Sequence, residues 1–225
     1  MKILAIDTAA NLCAACVFDT EAGELGRSVL DLGKGHAEHL MTGIDDALAA
    51  AGTTYAELDL IGVAVGPGSF TGIRVGVAVA RGLALALKIP SVGITTLDAL
   101  AEEAWEAHAG REILAVIDAR REQIYATRYD AGGARTKGPV IATLSEAVDM
   151  IAGGGPVLTG SAADMVNEAS GHKLDIAGTA ATADIAVYAR LAARNGPADT
   201  PPRPLYLRDA DARPQEGFAV ARRPG

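Results

Sequence analysis

Residues Gly66-Pro67-Gly68-Ser69-Phe70-Thr71-Gly72-Ile73-Arg74 form a glycine-rich turn between two apolar segments. The segment before the turn, residues 60–65, is an apolar run of strand length. The segment after it predicts a helix from about Phe70 to Lys88, which ends before Pro90. A strand, a glycine turn and a helix N-terminus in this order indicate either an anion site or a tight packing joint.

This turn matches none of three well-known catalytic or phosphate loops. A P-loop requires a lysine directly after its last glycine, where this chain has Ile73. A dinucleotide fingerprint requires its third glycine one residue earlier than Gly72, and a nucleophile elbow requires glycines two positions on either side of Ser69, where Pro67 and Thr71 stand. An anion contact through the helix N-terminus alone stays open.

The helix that follows the turn carries small residues at every fourth position: Gly72, Gly76, Ala80 and Ala84. This spacing places them on one narrow stripe, which lets another element approach closely. The stripe fits a partner protein or the core of the same domain equally well. Arg74 and Arg81 lie within the helix and argue against a bilayer-spanning segment.

Composition restricts the class of protein. The chain has 225 residues and a formal net charge of −8, which opposes independent binding to nucleic acid. Met1-Lys2-Ile3 leads directly into a strand, so we expect no signal peptide, no membrane association and a cytoplasmic location. Cys13 and Cys16 form a C-x-x-C pair, but their strand-like surroundings predict two buried thiols rather than a redox site.

An internal duplication organises the chain. Residues 3–19 read ILAIDTAANLCAACVFD and residues 114–130 read LAVIDARREQIYATRYD, so that Ile6-Asp7 aligns with Ile117-Asp118. Each copy predicts a β-hairpin with an aspartate at the end of its first strand, and helices alternate with strands after each copy. These patterns predict an α/β protein with three segments: a first lobe at 1–108, a second lobe at 109–208 and a C-terminal tail at 209–225.

Two lobes that each open with a strand, an aspartate, a turn and a second strand resemble the actin-like (ribonuclease H-like) and sugar-kinase-like ATPases. The resemblance implies a mixed sheet with flanking helices in each lobe, and paired turns that hold nucleotide phosphates. It makes Asp7, Thr8 and Asp118 candidates for a vestigial nucleotide site. Neither turn carries the glycine usual after such an aspartate, and aspartates that only cap their own turns are an equal alternative.

Four motifs make a closer resemblance. ILAIDT at 3–8, GPGSFTGIR at 66–74, VIDARREQIY at 116–125 and PLYLR at 204–208 together resemble the TsaB (YeaZ) family. That family is a subunit of the bacterial machinery that makes threonylcarbamoyladenosine in tRNA. The resemblance covers nearly the whole chain.

The resemblance implies a subunit with no catalytic residues and no cofactor of its own. A TsaD-like paralogue would bind metal and nucleotide and modify adenosine 37 of tRNAs that read codons beginning with A. A TsaE-like ATPase would join the assembly, and tRNA would be contacted only as part of it. The resemblance places the contacts with the paralogue on first-lobe helices, at Leu40, Ile44, Leu48, Gly72, Ile73, Gly76, Val77 and Ala80. An exposed stripe of small residues would also allow a homodimer.

Two other classes of function stay open beside this one. An actin-fold ATPase or phosphotransferase would use Asp7 and Asp118, and a peptidase of the glycoprotease type would depend on Ser69 or on a metal. The catalytic relatives carry H-x-x-x-H, whereas His36 and His39 are three residues apart with no third ligand nearby in sequence. We therefore predict no metal site and a solvated helix start at these two histidines.

Overall fold

The structure is a computed structural model, and it describes residues 1–151, 154–198 and 200–208. The predicted tail at 209–225 lies outside these residues. Two five-stranded mixed sheets with flanking helices form the described part of the chain. This arrangement confirms the predicted α/β fold of two related lobes.

The first sheet has the strand order β3-β2-β1-β4-β5. The central strand β1 pairs antiparallel with β2 and parallel with β4. β4 is buried along its whole length, as its unbroken apolar sequence predicts for a strand covered on both faces. The strands are β1 (Lys2–Asp7), β2 (Leu12–Asp19), β3 (Gly23–Asp31), β4 (Leu60–Gly66) and β5 (Ser91–Thr95).

The second sheet repeats this topology with the order β8-β7-β6-β9-β10. β6 takes the place of β1, because it pairs antiparallel with β7 and parallel with β9. The duplication seen in the sequence is therefore a duplication of topology. The strands are β6 (Ile113–Arg120), β7 (Gln123–Tyr129), β8 (Arg135–Thr143), β9 (Val157–Thr159) and β10 (Ile176–Gly178).

Six α-helices cover the sheets within the described residues, and local side chains cap the starts of four of them, two of which are capped by a threonine. Thr95 Oγ1 accepts a hydrogen bond from the Asp98 amide at 3.0 Å, and Thr143 forms a capping box with Glu146. The T-x-x-D and T-x-x-E spacings at these two helix starts are typical of N-terminal caps. The helices are α1 (His36–Ala50), α2 (Phe70–Leu87), α3 (Thr96–Ala107), α4 (Leu144–Asp149), α5 (Ala163–Ser170) and α6 (Ile185–Asn195).

Two helices cross between the lobes. α3 follows the first sheet in sequence but packs mainly against β6 of the second, whereas α6 follows the second sheet and packs against β1, β2 and β4 of the first. The boundary between 1–108 and 109–208 stays a prediction, and each of these segments gives one helix to the other's sheet. α3 and α6 also contact each other, and Arg194 of α6 pairs with Glu102 of α3 at 2.8 Å.

The two cysteines lie on β2 and are both free and buried, as the strand pattern predicted. Burial raises the pKa of the Cys16 thiol to about 12. A thiol with so high a pKa carries almost no thiolate at neutral pH, which agrees with a structural rather than a redox role.

Candidate functional site

The glycine-rich loop packs directly onto the turn between β1 and β2. The Ser69 amide donates a hydrogen bond to the Ala9 carbonyl oxygen at 2.6 Å. A Cβ at Gly68 would lie 2.2 Å from that same oxygen, so only glycine fits at this position. The glycine-rich loop therefore packs tightly against the turn between β1 and β2, which is the turn predicted to hold a nucleotide phosphate.

α2 begins at this joint and is held there by two hydroxyl groups. Ser69 Oγ accepts a hydrogen bond from the Gly72 amide at 3.3 Å and so caps the helix. The Thr8 hydroxyl donates to the Gly72 carbonyl oxygen at 2.7 Å. A Cβ at Gly76 would lie 2.5 Å from Thr8 Oγ1, so the small-residue stripe brings α2 against the end of β1.

The eight predicted partner contacts lie inside the first lobe. Leu40, Ile44 and Leu48 of α1 are at most 5% exposed, and all five predicted positions of α2 are also buried. The prediction that these side chains touch a partner needs correction, because the stripe is filled by the chain's own β1 and β4. A partner that approaches these helices would meet their outer residues.

The outer side of α2 exposes apolar residues beside two exposed arginines, Arg74 and Arg81. We define the outer face of α2 as the exposed residues Ala78, Gly82 and Leu85 with the half-buried Val75 and Val79. Leu85 is 82% exposed, and nothing lies within 4 Å of the place where a Cβ on Gly82 would stand.

α1 lies beside α2 and continues this surface. Its Met41 is 42% exposed, and its Ala37 lines the same small hollow as Val75 of α2. By length and composition alone α2 could cross a membrane. The inner side of α2, however, packs on β1 and β4. The apolar sequence of α2 therefore also fits a helix that buries one apolar side in its own domain and exposes the other.

Asp7 is closed off from the space between the lobes. Its carboxylate is 1% exposed, accepts a hydrogen bond from the Ala9 amide at 2.8 Å and another from the Thr182 hydroxyl. Thr182 is in turn hydrogen-bonded to the buried Tyr188 hydroxyl at 2.7 Å. Burial raises the pKa of Asp7, and the hydrogen bonds from Thr182 and Ala9 oppose the rise.

Asp118 holds the equivalent position in the second lobe but lies in a different environment. It is exposed and lines a large cleft between the lobes, where its carboxylate accepts a hydrogen bond from the Arg120 amide at 2.7 Å. Its own amide donates to Ser161 Oγ at 3.0 Å. Of the three residues predicted for a vestigial nucleotide site, only Asp118 therefore faces the cleft, because Asp7 and Thr8 are buried.

His36 and Ser69 line the same small hollow at the start of α2, where Ser69 Oγ accepts a hydrogen bond from the Gly72 amide. His36 was expected to be solvated, but it is 6% exposed, and its Nε2 lies 3.2 Å from the Leu12 carbonyl oxygen. His39 is exposed. Across residues 1–151, 154–198 and 200–208, no three His, Cys, Asp or Glu side chains are placed to hold one metal ion.

Sequence comparisons relate the chain to tRNA-modification proteins. A family model described as TsaD, tRNA N6-adenosine threonylcarbamoyltransferase, matches residues 31–213. The chain is 34% identical over 129 residues to the tRNA threonylcarbamoyladenosine biosynthesis protein TsaB of Escherichia coli, a match that covers 57% of this chain and 55% of that protein. The chain thus spans about half the length of this curated relative. An uncharacterized protein of Mycobacterium tuberculosis is 36% identical over 94% of both chains.

Solved structures agree with the fold. A Pseudomonas aeruginosa protein described as similar to peptidase YeaZ superimposes with a TM-score of 0.78 at 24% identity, over 92% of this chain and 99% of the other. YeaZ from Pseudomonas aeruginosa superimposes with a TM-score of 0.73 at 25% identity, over 86% and 91% of the two chains.

Proposed function

The chain belongs to the TsaB (YeaZ) family, within the group that the TsaD family model describes, and we propose that it is a non-catalytic subunit in tRNA threonylcarbamoyladenosine biosynthesis. In this proposal it pairs with a TsaD-like paralogue and stabilises it. The paralogue carries the metal and the nucleotide and modifies adenosine 37. The assembly acts in the cytoplasm, with a TsaE-like ATPase as a further member.

The observation that carries this proposal is the exposed apolar outer face of α2. Leu85 is 82% exposed, and Ala78, Gly82, Val75 and Val79 add small or aliphatic surface to this face, beside the exposed Arg74 and Arg81. Monomeric proteins seldom expose large apolar patches, and apolar patches rimmed by polar residues mark protein interfaces. Gly82 leaves room for the backbone of a second helix to approach closely. A paralogue of the same fold, or a second copy of this chain when the paralogue is missing, would cover this face with its own helices.

The environment of Asp7 supports the non-catalytic part of the proposal. An aspartate that binds a metal–phosphate group must be ionised and must reach the ligand. Here burial favours the protonated form, and the two oxygens are engaged by Ala9 and Thr182. The Ser69 amide of the glycine-rich loop also donates a hydrogen bond to the Ala9 carbonyl oxygen.

The test of this proposal is a reconstitution with tRNA and threonylcarbamoyl-adenylate. The reaction is run with this chain alone, with a TsaD-like partner alone and with both, while TsaE-like ATPase and ATP are held constant. Modified nucleoside is quantified by mass spectrometry after digestion. We expect product above the partner-alone level only when both chains are present. Product from this chain alone would overturn the proposal and make Asp118 the first catalytic candidate.

The ATPase and peptidase alternatives have direct tests of their own. Calorimetry of the isolated chain with Mg-ATP should show no heat of binding if the closed environment of Asp7 persists in solution. A peptidase would lose activity after Ser69→Ala, whereas a Ser69 that only caps α2 would lose stability by about 1 kcal/mol.

A further inference from the structure

The cleft between the lobes has a volume of about 1210 Å³, which is larger than a typical site for one small molecule. The glycine-rich loop and the start of α2 form one wall, and the turn between β6 and β7 forms another. Residues 205–208 form a third wall. They are anchored to the first lobe by a hydrogen bond from the Leu205 amide to the Val65 carbonyl oxygen at 2.8 Å.

Two exposed aromatic side chains meet at the mouth of this cleft. Phe70 is 49% exposed and Tyr206 is 50% exposed, and they are the only exposed aromatic residues of the described chain. Their ring centroids are 5.6 Å apart with the planes tilted by 42°. Each of these two residues therefore keeps about half of its surface exposed, where a further planar group can contact it.

Arginine completes this aromatic group. The Arg74 guanidinium lies 3.7 Å from the centroid of the Phe70 ring, and its Nε donates to the Tyr206 hydroxyl at 2.7 Å. Two aromatic rings braced by an arginine form a rigid platform, and stacking on such a platform is how single-stranded nucleic acids are held without sequence preference.

The charge of the cleft is opposite to the charge of the whole chain. The chain carries 28 acidic and 20 basic residues, yet the cleft is lined by three arginines, Arg74, Arg120 and Arg208, and by one carboxylate, Asp118. Phosphates neutralised by arginine supply the main part of the affinity of nucleic-acid sites. Because the rest of the protein is acidic, a negatively charged nucleic acid would be attracted to this locally basic cleft.

The turn that carries Arg120 is held in a conformation that side chains rarely adopt. Arg120, Arg121 and Glu122 have φ values of 61°, 54° and 59°, three consecutive left-handed residues that are not glycine. Arg208 stabilises this turn, because its Nη2 donates to the Ala119 carbonyl oxygen at 3.2 Å and bonds to the Gln123 side chain. Backbone strain that the surroundings hold in place is a common property of binding sites.

We propose that the mouth of this cleft binds a single-stranded nucleic-acid segment, with an unpaired base stacked on Phe70 and Tyr206 and the adjoining phosphates paired with arginines such as Arg120. This site is separate from the outer face of α2, and it does not depend on the pairing proposed above. It differs from the expectation that tRNA is contacted only through the assembly, because overall charge does not reveal a local reversal.

The binding test uses the isolated full chain and a fluorescently labelled 12-nucleotide RNA of mixed sequence, measured by anisotropy at 50 mM KCl. DNA of the same sequence, the corresponding duplex and AMP serve as competitors. We expect the two single strands to compete and the duplex and AMP to compete at least tenfold more weakly. With two phosphate contacts, raising KCl to 200 mM should weaken binding roughly sevenfold. Binding to RNA alone or to both single strands supports the proposal.

Three variants, one conservative variant and one matched control assign the binding to these residues. Tyr206→Leu and Phe70→Leu should each weaken binding about tenfold, because each removes one stacking face. Arg120→Gln should weaken binding and flatten its salt dependence. Tyr206→Phe keeps the ring but loses the hydrogen bond from Arg74, so it should weaken binding less than Tyr206→Leu does. Arg81→Gln makes the same charge change as Arg120→Gln on α2 away from the cleft, so it should bind as the parent does.

Phe70→Leu leaves the Tyr206–Arg74 hydrogen bond in place, so a loss of binding in this variant cannot be attributed to release of residues 205–208. Melting temperatures check that all variants are folded. The proposal is overturned by no anisotropy change up to 500 µM chain, by equal competition from AMP, or by equal losses in Tyr206→Leu and Arg81→Gln. None of these outcomes affects the pairing with a paralogue, which is measured separately.

Discussion

The Thr8 hydroxyl donates a hydrogen bond to the Gly72 carbonyl oxygen at 2.7 Å and thereby joins the end of β1 to the first turn of α2. Thr8 is completely buried at this contact. A Cβ on Gly72 would lie 2.0 Å from the Thr8 carbonyl oxygen, so the glycine is required by the chain's own packing. The regular spacing of small residues along α2 is thus explained within one subunit, and a partner surface must be argued from the opposite side of the helix.

The first prediction compares two glycines of α2. Gly76→Ala should lower the free energy of unfolding by about 1–3 kcal/mol, because the new methyl group would lie 2.5 Å from Thr8 Oγ1 and overpack the joint. Gly82→Ala should raise it by up to about 1 kcal/mol, because its Cβ meets open space and alanine is the better helix former. Urea unfolding of both variants measures the difference, and equal effects at the two positions would contradict the packing described here.

The second prediction concerns pairing with a TsaD-like protein. Gly82→Trp should fold normally but weaken pairing at least tenfold, because a bulky side chain would hold the partner away from the outer face of α2. Gly82→Ala is the matched control and should pair with near-parental affinity. Met165→Glu, an exposed change on α5, should have no effect. Calorimetric titration gives the affinities, and a Gly82→Trp variant that pairs as tightly as the parent would place the partner elsewhere.

The third prediction concerns Asp7 and pH. Burial raises the pKa of this carboxyl above its unfolded value, so the folded state retains the proton to higher pH than the unfolded state does. Stability should therefore fall as the pH rises from the unfolded pKa to the folded pKa of Asp7, and stay level above it. A rise of one pKa unit corresponds to about 1.4 kcal/mol.

Asp7→Asn replaces the titrating group with a neutral one and should remove this fall. Urea unfolding from pH 3 to pH 7 should show the variant gaining stability relative to the parent as the pH rises. Asp46→Asn, an exposed change on α1, is the control and should leave the shape of the parental profile unchanged. A constant difference between Asp7→Asn and the parent over this range would mean that Asp7 does not titrate differently in the two states.

Most of the elements that the sequence predicts are present, because their patterns are strong. The run at 60–65 is β4, and the helix expected from about Phe70 to Lys88 is α2, Phe70–Leu87. The edge strands β3 and β8 were missed. Their residues are mostly exposed or half-buried, so they show neither a continuous apolar run nor a clear alternation.

The candidate site was harder to predict than the fold because it depends on which side of a helix is covered. Gly76 and Gly82 both look like helix glycines in the sequence, yet one meets Thr8 and the other meets open space. Asp7 and Asp118 align in the duplication, but their environments differ. Thr182, which is distant in sequence, donates a hydrogen bond to the buried Asp7, whereas Asp118 lines the cleft. Contacts of this kind join residues far apart in sequence and leave no local pattern.

The last prediction concerns the network that ties α3 to the second sheet. The buried Tyr129 hydroxyl donates to Asp98 Oδ1 at 2.6 Å, and Arg135 donates to the same oxygen at 2.7 Å. Burial and the neighbouring Asp98 carboxylate raise the pKa of Tyr129, so the hydroxyl is protonated and acts as a donor at neutral pH. Since hydrogen bonds to charged groups are stronger than neutral ones, this contact should contribute measurably to stability.

Tyr129→Phe should lower the free energy of unfolding by about 1–2 kcal/mol, the lower part of the range for such bonds, because Arg135 still partners Asp98. The ring contact with Trp105, with centroids 5.6 Å apart, remains in the variant. Tyr55→Phe is the matched control, because the Tyr55 hydroxyl also donates to an aspartate, Asp45, at 2.7 Å, but from a more exposed position. This variant should lower the free energy of unfolding by less than about 1 kcal/mol. Equal losses in urea unfolding would show that burial does not strengthen the Tyr129 contact, and α3 would then be held to the second sheet mainly by apolar packing and the Arg135–Asp98 pair.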